Sequence, residues 1–346
     1  MEALHAGELI ASNDIRDDSV AMNTRLEEDG YLFFRRLLDP DQLWSLRREM
    51  LSVMQSGGWL VAGTDPVDGI ANPAARSTEG DLEYTDVYHQ VYRLQSFHEI
   101  GHSRSVLDLL ETIRGCEMMS QPQKVARLWF PRFTDHTTPV HQDFVHFQGT
   151  HDNLTCWSPV GDCPRDLGGL AVLRGSHKVG RVLDHHFSLG AGSLIVDTDS
   201  NSELSDEWLT TDYQAGDTLI FPALTVHKAL PNVTKNRLRV SLDNRYQRVS
   251  DPIAEHMLNP HLSSMSALSW NEVYADWDSD EFQFYWKKHN LTVLPKITEY
   301  LETAFNEAVK LTELGDDRAR LHLSRIAARD PNSDQGRRAI RTLDAN

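Results

Sequence analysis

The stretch TTPVHQDFVHFQGTHDN, Thr137 to Asn153, carries three histidines and two aspartates among ordinary strand-forming residues. In His141-Gln142-Asp143 an imidazole and a carboxylate stand two positions apart. On a β-strand that spacing puts both side chains on one face, about 7 Å apart at the backbone, so the pair could grip one ion. Two ligands do not make a site. A third is available in Phe221-Pro-Ala-Leu-Thr-Val-His227, where an apolar run ends in a histidine 86 residues after His141. In a two-layer β fold such a separation can return the chain to the facing strand. Two histidines and one carboxylate on one side of a metal leave the opposite positions open, the arrangement used by non-heme Fe(II) oxygenases. Further on, in Asn236 to Tyr246, Arg239 and Ser241 share a strand face and could hold a carboxylate by a charge-assisted contact plus a hydroxyl. Arg237 and Arg245 have the same parity, and periodicity does not choose among the three arginines.

The other polar residues nearby are given lesser roles. His146 follows Asp143 at odd spacing, so a continuing strand turns it to the other face, and it meets a substrate only if the chain bends there. His151-Asp152-Asn153 reads as turn chemistry. His177 reads as a structural hydrogen-bonder and His185-His186 as surface residues, since neutral histidine has many uses besides metals. Tyr92-Arg93 is a possible contact to substrate or co-substrate, with an exposed arginine as the plainer expectation.

The elements that must position these residues follow from periodicity and punctuation. Gly30 to Phe34 reads as a short strand, and Asp39-Pro40 opens a helix that Gly57-Gly58 ends. Trp59 to Tyr84 reads as a long loop of the kind that serves as a lid or binding loop. Thr85 to Gly115 reads as helical. From Val125 to about Gln247 short β-rich runs alternate with Gly, Pro and Asp, the pattern of a sandwich or barrel of antiparallel strands. Beyond Ser250 the pattern turns helical, notably from Leu294 to Ala328, and this tail is expected to pack on the β core. We therefore expect one main domain over residues 1–346: a helical and loop region 1–124, a β core 125–249 and a helical extension 250–346.

Composition removes several classes of function. With 34 basic against 51 acidic residues the formal charge is −17, which would repel a nucleic-acid backbone. No run approaches a membrane span, and no basic-then-apolar leader is visible, so a cytoplasmic enzyme without nucleic-acid or membrane partners is expected. Three cysteines without a CxxC pair argue against a disulfide framework or a thiolate zinc site. Oligomeric state leaves no mark on the sequence.

Taken together, His141-Gln142-Asp143, Trp157-Ser-Pro-Val-Gly-Asp162, Gly168 to His177 and His227 to Tyr246 resemble, in order, the phytanoyl-CoA dioxygenase-like branch of the Fe(II)/2-oxoglutarate dioxygenases. The resemblance implies a mainly β fold with flanking helices around a double-stranded β-helix, the cupin-like jelly roll. It implies Fe(II) held by His141, Asp143 and His227, with 2-oxoglutarate and O2 as co-substrates. It selects Arg239, with Ser241, for the distal carboxylate of 2-oxoglutarate, Arg237 being the minor alternative. It also places Thr138 beside the co-substrate and Trp157 as a wall of its site, core packing being the competing role for Trp157. The implied reaction oxidises an unactivated C–H bond of a small organic molecule, such as a specialised metabolite, while succinate and carbon dioxide leave. Related halogenating enzymes replace the metal aspartate with a small residue; Asp143 is kept here, which favours hydroxylation, desaturation or ring formation. Two other readings use the same residues: a Zn(II) hydrolase that activates water, and a β-sandwich binding module without catalysis. The hydrolase has no need of a buried Arg239–Ser241 clamp.

Overall fold

The computed structural model describes residues 6–199 and 201–345. Alternation of side chains along the strands sets up its architecture. From Leu32–Phe34, Leu154–Pro159, Thr218–Pro222 and Arg239–Arg248, residues Leu32, Phe34, Cys156, Ile220, Val240 and Leu242 enter one apolar core. Their neighbours Phe33, Trp157, Leu219 and Phe221 enter another. These strands form an antiparallel sheet in the order 32–34, 218–222, 154–159, 239–248, 118–120, with Val125–Trp129 paired to the first half of Arg239–Arg248. Helices Pro40–Ser56, Leu82–Tyr92 and Arg104–Arg114 close the first core. A smaller sheet, ordered 7–8, 208–210, 170–173, 227–229, closes the second. Two antiparallel-dominated sheets face to face, with helices outside, make the double-stranded β-helix that the motifs imply. The odd-numbered residues of Arg239–Arg248 point between the sheets, and the site lies there.

Local chemistry explains the element ends. Asp39 accepts a hydrogen bond from the Asp41 N–H at 3.0 Å, and Pro40 occupies the first helical position. Ser19–Asp29 ends at Gly30, whose φ of +76° suits a left-handed cap. A Cβ at Gly30 would lie 2.4 Å from the His177 ring, so glycine alone permits both the cap and the packing.

Several boundaries differ from the sequence expectation. The Thr85–Gly115 region is three helices, Leu82–Tyr92, Gln95–Glu99 and Arg104–Arg114, separated where Leu94 and Ser103 are extended. Met118–Ser120 is a strand too short to show a period. Between Ser250 and Thr298 the chain is mostly short turns, with Ile253–Ala254 paired to Val293–Leu294. The tail helices start at Glu299 rather than Leu294, because Leu294 precedes Pro295 and is held out of the helical region. They run Glu299–Glu313, Asp317–Arg329 and Asp334–Ala345, the first break marked by Gly315 at φ +87°. Their shared faces bury Phe305, Val309, Leu323 and Ile326, while Ala304 packs on Val145 and Leu194 beside the β core. The Trp59–Tyr84 loop is pinned by backbone bridges Leu60 to Ala71 and Ile70 to Arg237. Among the described residues no helix is long and apolar enough to cross a membrane, and the three cysteines are unbonded.

Candidate active site

His227 opens the strand His227–Ala229, and its backbone pairs with His141, each N–H donating to the other's carbonyl at 3.0 Å. After His141 the strand expected from the His-x-Asp period does not continue. Gln142 is extended, but Asp143–Val145 is a single 3-10 turn. That turn carries the Asp143 carboxylate under both rings, with Oδ1 3.5 Å from His141 Nε2 and 3.6 Å from His227 Nε2. All three side chains are buried, and their donor atoms lie within 4.8 Å of one another. His141 Nδ1 sits 2.8 Å from the Pro139 carbonyl and His227 Nδ1 2.9 Å from that of Thr225. A carbonyl only accepts, so each Nδ1–H donates and each Nε2 turns its lone pair inward, the orientation a metal ligand needs. Burial pushes the His227 imidazole down to about 3, so it stays neutral and available.

The carboxylate has its own supports. Arg245 Nη2 and Nε donate to Asp143 Oδ2 at 3.0 and 3.2 Å, and the Thr155 hydroxyl donates to the same oxygen. Burial pushes the Asp143 carboxyl up, but the Arg245 guanidinium outweighs it and holds it well below the usual range. Arg245 is itself buried over the Phe147 ring. Gln142, between the two ligands, donates to the Leu224 carbonyl at 2.8 Å and accepts from the Leu183 N–H at 2.7 Å. Its own N–H donates to His185 Nε2 at 3.2 Å, and His185 Nδ1 bonds the Leu183 carbonyl. His185 is therefore buried, not a surface residue, because that backbone N–H needs an acceptor inside the fold; His186 is exposed, as expected, beside Glu307. Two neutral imidazoles and one ionised carboxylate, each locked from behind, fit a divalent metal on one side and leave the other side free.

Next to this cluster Arg239 is 1% exposed. Its Nη1 donates to Ser241 Oγ at 3.0 Å, its Nε has no partner, and no carboxylate lies within 4 Å among the described residues. Burial lowers its guanidinium to about 10. Trp129 and Trp157 flank it, with ring centroids 5.7 and 6.0 Å from Cζ. A small cavity joins Arg239 to His141, Asp143 and His227, and Thr138, Thr155 and Trp157 line it too. Arg237, by contrast, is half-buried and lines none of it. The three arginines left open by parity thus separate: Arg245 holds the carboxylate, Arg239 faces the cavity unpaired, and Arg237 lies outside. Trp157 serves packing as well, meeting Tyr213 edge-on at 4.7 Å.

A second cavity of about 310 Å³ begins at His141 and Thr138 and opens toward the tail helices. His146 lines it, its ring 5.8 Å from that of His141, because the turn at Asp143 abolishes the strand parity that would have turned it away. The Leu189–Ser193 loop forms another wall. Gly190 in this loop lies so close to the approach to His141 that a Cβ would meet the Thr137 carbonyl at 2.1 Å and the Pro139 ring at 2.7 Å. Glu79, at the end of the long N-terminal loop, reaches the same cavity and ion-pairs with Arg127, which also binds Asp243 at 3.3 Å. His177 bonds the Glu27 carbonyl at 3.1 Å and plays the structural part expected. His151 is exposed while Asn153 is buried and bonds Phe147 O at 2.9 Å, as turn residues do. Tyr92 is buried in an aromatic stack and Arg93 is exposed, and neither lines either cavity. Thr155 and Arg245 as holders of Asp143 escaped the sequence reading, although strand parity with Trp157 and Arg239 marks their face; nothing in the sequence marks His185 or Glu79.

A double-stranded β-helix with two histidines and one carboxylate gathered at its open end is the architecture of the cupin-like non-heme oxygenases. The chain belongs to the phytanoyl-CoA dioxygenase (PhyH) family, whose model matches residues 26–240, and it is an Fe(II)- and 2-oxoglutarate-dependent oxygenase. It is 27% identical over 259 residues, 70% of this chain and 86% of the relative, to the 1-deoxypentalenic acid 11-beta-hydroxylase of Streptomyces arenae. The corresponding hydroxylase of Streptomyces exfoliatus is 26% identical over 255 residues, with 70% and 86% covered. Among solved structures, the epimerase SnoN in complex with Fe3+, alpha-ketoglutarate and nogalamycin RO aligns over 68% of this chain and 85% of its own, at 17% identity and a TM-score of 0.45.

Proposed function

We propose that the protein hydroxylates, or otherwise oxidises, an unactivated C–H bond of a small organic molecule, in the class of specialised metabolites, with release of succinate and carbon dioxide. The observation that carries this reading is the unpaired, buried Arg239 guanidinium sharing one small cavity with the three inward-facing donor atoms. In this reading His141, Asp143 and His227 hold Fe(II). Iron, when bound, supplies the coupling of O2 reduction to 2-oxoglutarate decarboxylation. Arg239, steadied by Ser241, takes the distal carboxylate of 2-oxoglutarate, a charge-assisted contact strengthened by burial. Thr138 and Trp157 wall the co-substrate. Arg245 and Thr155 keep Asp143 ionised and aimed. The larger cavity, reaching His141 from the other side, positions the C–H bond and limits what can approach.

A metal hydrolase built on the same three ligands leaves the Arg239 charge buried without purpose, and a binding module leaves the inward-turned Nε2 atoms without one. Supplying Fe(II), ascorbate and 2-oxoglutarate in air and measuring succinate tests the proposal. Oxygen-dependent succinate formation, lost in Asp143→Ala, supports it; hydrolytic activity that persists without oxygen and 2-oxoglutarate overturns it.

A further inference from the structure

The larger cavity contradicts the charge of the chain that encloses it. In a protein of net charge −17, its lining holds four cations, Arg127, Lys296, Arg325 and Arg329, against the single acid Glu79. Two of the four are neutralised inside the fold. Arg127 pairs with Glu79 and Asp243, and Arg325 pairs with Asp81 at 2.7 Å, tying the helix Asp317–Arg329 to the N-terminal loop.

Lys296 and Arg329 are different. Neither has a carboxylate within 4 Å among the described residues, and the two feel each other's charge. Two acids lie nearby without ion-pairing directly: Glu255 accepts the Lys296 backbone N–H at 3.1 Å, and Asp330, whose charge acts on Arg329, accepts the Ser333 N–H at 3.2 Å at the turn into the last helix. The position of Lys296 is fixed, since the neighbouring Ile297 exchanges two backbone hydrogen bonds with the Gln148 amide, at 2.7 and 2.9 Å. Two like charges lining one cavity, neither in a direct ion pair, offer a seat to an anion from outside.

Burial gives the cavity a direction. At its inner end His141 and Phe147 are 4% exposed; at its outer end Lys296 is half-buried and Arg329 is exposed. The rest of the lining includes the apolar side chains of Leu189, Met265, Leu301, Ala304 and Ile326 beside polar ones such as Gln123, His261 and His322. Lys296 and all three tail helices lie beyond residues 26–240, the part that matches the family.

We infer that the substrate is an amphipathic monocarboxylate, its hydrocarbon body lying along the apolar side chains toward His141 and its carboxylate held at the mouth by Lys296 and Arg329. This rests on the oxygenase reading and adds to it the chemical class of the substrate. The tail helices then select the substrate while the β core performs the reaction.

The test is calorimetric titration of the full chain with decanoate, decan-1-ol and decyl phosphate as probes. Decanoate is expected to bind on the order of tenfold tighter than decan-1-ol, the sum of two rim ion pairs. Lys296→Ala and Arg329→Ala each lower decanoate affinity about two- to fivefold, together they erase the preference, and decan-1-ol binding is unchanged. Because neither cation has an internal partner, melting temperatures of the variants stay at the wild-type value. Equal binding of acid and alcohol, survival of the preference in the double variant, or no binding of any probe overturns the inference. Binding of decyl phosphate more than tenfold tighter than decanoate overturns the carboxylate assignment. Substrate-free succinate formation by the same variants reports on the oxygenase reading alone, so its failure is distinguishable from loss of the anion preference.

Discussion

The two ends of the catalytic space are built differently. Around Asp143 the supporting bonds are made within the fold: Arg245 and Thr155 bond its oxygens, the Pro139 and Thr225 carbonyls lock the imidazoles, and His185 takes the Gln142 N–H between them. At the mouth of the larger cavity, Lys296 and Arg329 are left without a carboxylate partner. The first end comes from strands and one tight turn, all inside the family-matched segment except Arg245, and the two cations at the second come from a loop and a helix beyond it. Chemistry that is common to a family tolerates no slack in its ligands, while recognition requires groups left open for a guest.

The largest effect that could break this contrast is at Asp143. Asp143→Ala is expected to reduce succinate formation to background and, by leaving Arg245 buried without its partner, to destabilise the metal-free protein by about 3–5 kcal/mol. Metal-free stability equal to wild type in urea unfolding would show that the carboxylate is not the counter-charge of Arg245. At the unpaired guanidinium the sign reverses. Arg239→Met is expected to raise the KM for 2-oxoglutarate by on the order of 100-fold without loss of stability, since no internal ion pair is broken, whereas Arg237→Met stays within about twofold. Steady-state kinetics with both variants ranks the two arginines.

Acid is expected to weaken the fold at two buried imidazoles, His227 of the site and His136, which lies 3.4 Å from Arg325. Burial holds His227 near 3, and burial with the Arg325 charge holds His136 near 4. Both folded values lie below the ordinary imidazole value of about 6.5, so the unfolded chain takes up protons first as the pH falls. The contribution of these rings to the stability of the metal-free protein is therefore full above about pH 6.5 and declines toward pH 4, with a slope of up to about 1.4 kcal/mol per unit for each such ring. A urea midpoint that does not move between pH 7 and 4.5 contradicts this. The smallest effect is expected from Thr155→Val, which removes one donor to Asp143 Oδ2 and weakens Fe(II) binding about tenfold; equilibrium dialysis against iron measures it.

How much of this was legible in the sequence follows the same division. The Arg239–Ser241 pair was visible from a strand's period of two, and the structure gathers His141, Asp143 and His227 as expected, although a 3-10 turn rather than a continuing strand brings Asp143 in. The motifs supplied what parity could not, the choice of Arg239 among three arginines of one face. The period also misled: it carried the strand past Gln142, and so placed His146 away from the cavity it lines. His185 and Glu79 were out of reach, since their roles depend on which backbone group or side chain a distant segment brings near. The tail shows the limit most plainly. Its helices were recognisable by period, with a start misplaced at Leu294 by ignoring Pro295, yet no pattern says that they roof a cavity whose floor lies some 150 residues earlier.

The missing Cβ at Gly190 links the two ends mechanically. The loop that walls the larger cavity rests directly on Thr137 and Pro139, and the Pro139 carbonyl steers the His141 ring. The cavity wall and the His141 ring are thus joined by backbone atoms alone, with no side chain between them. The same close contact means that any side chain at position 190 would have to displace the backbone that orients His141.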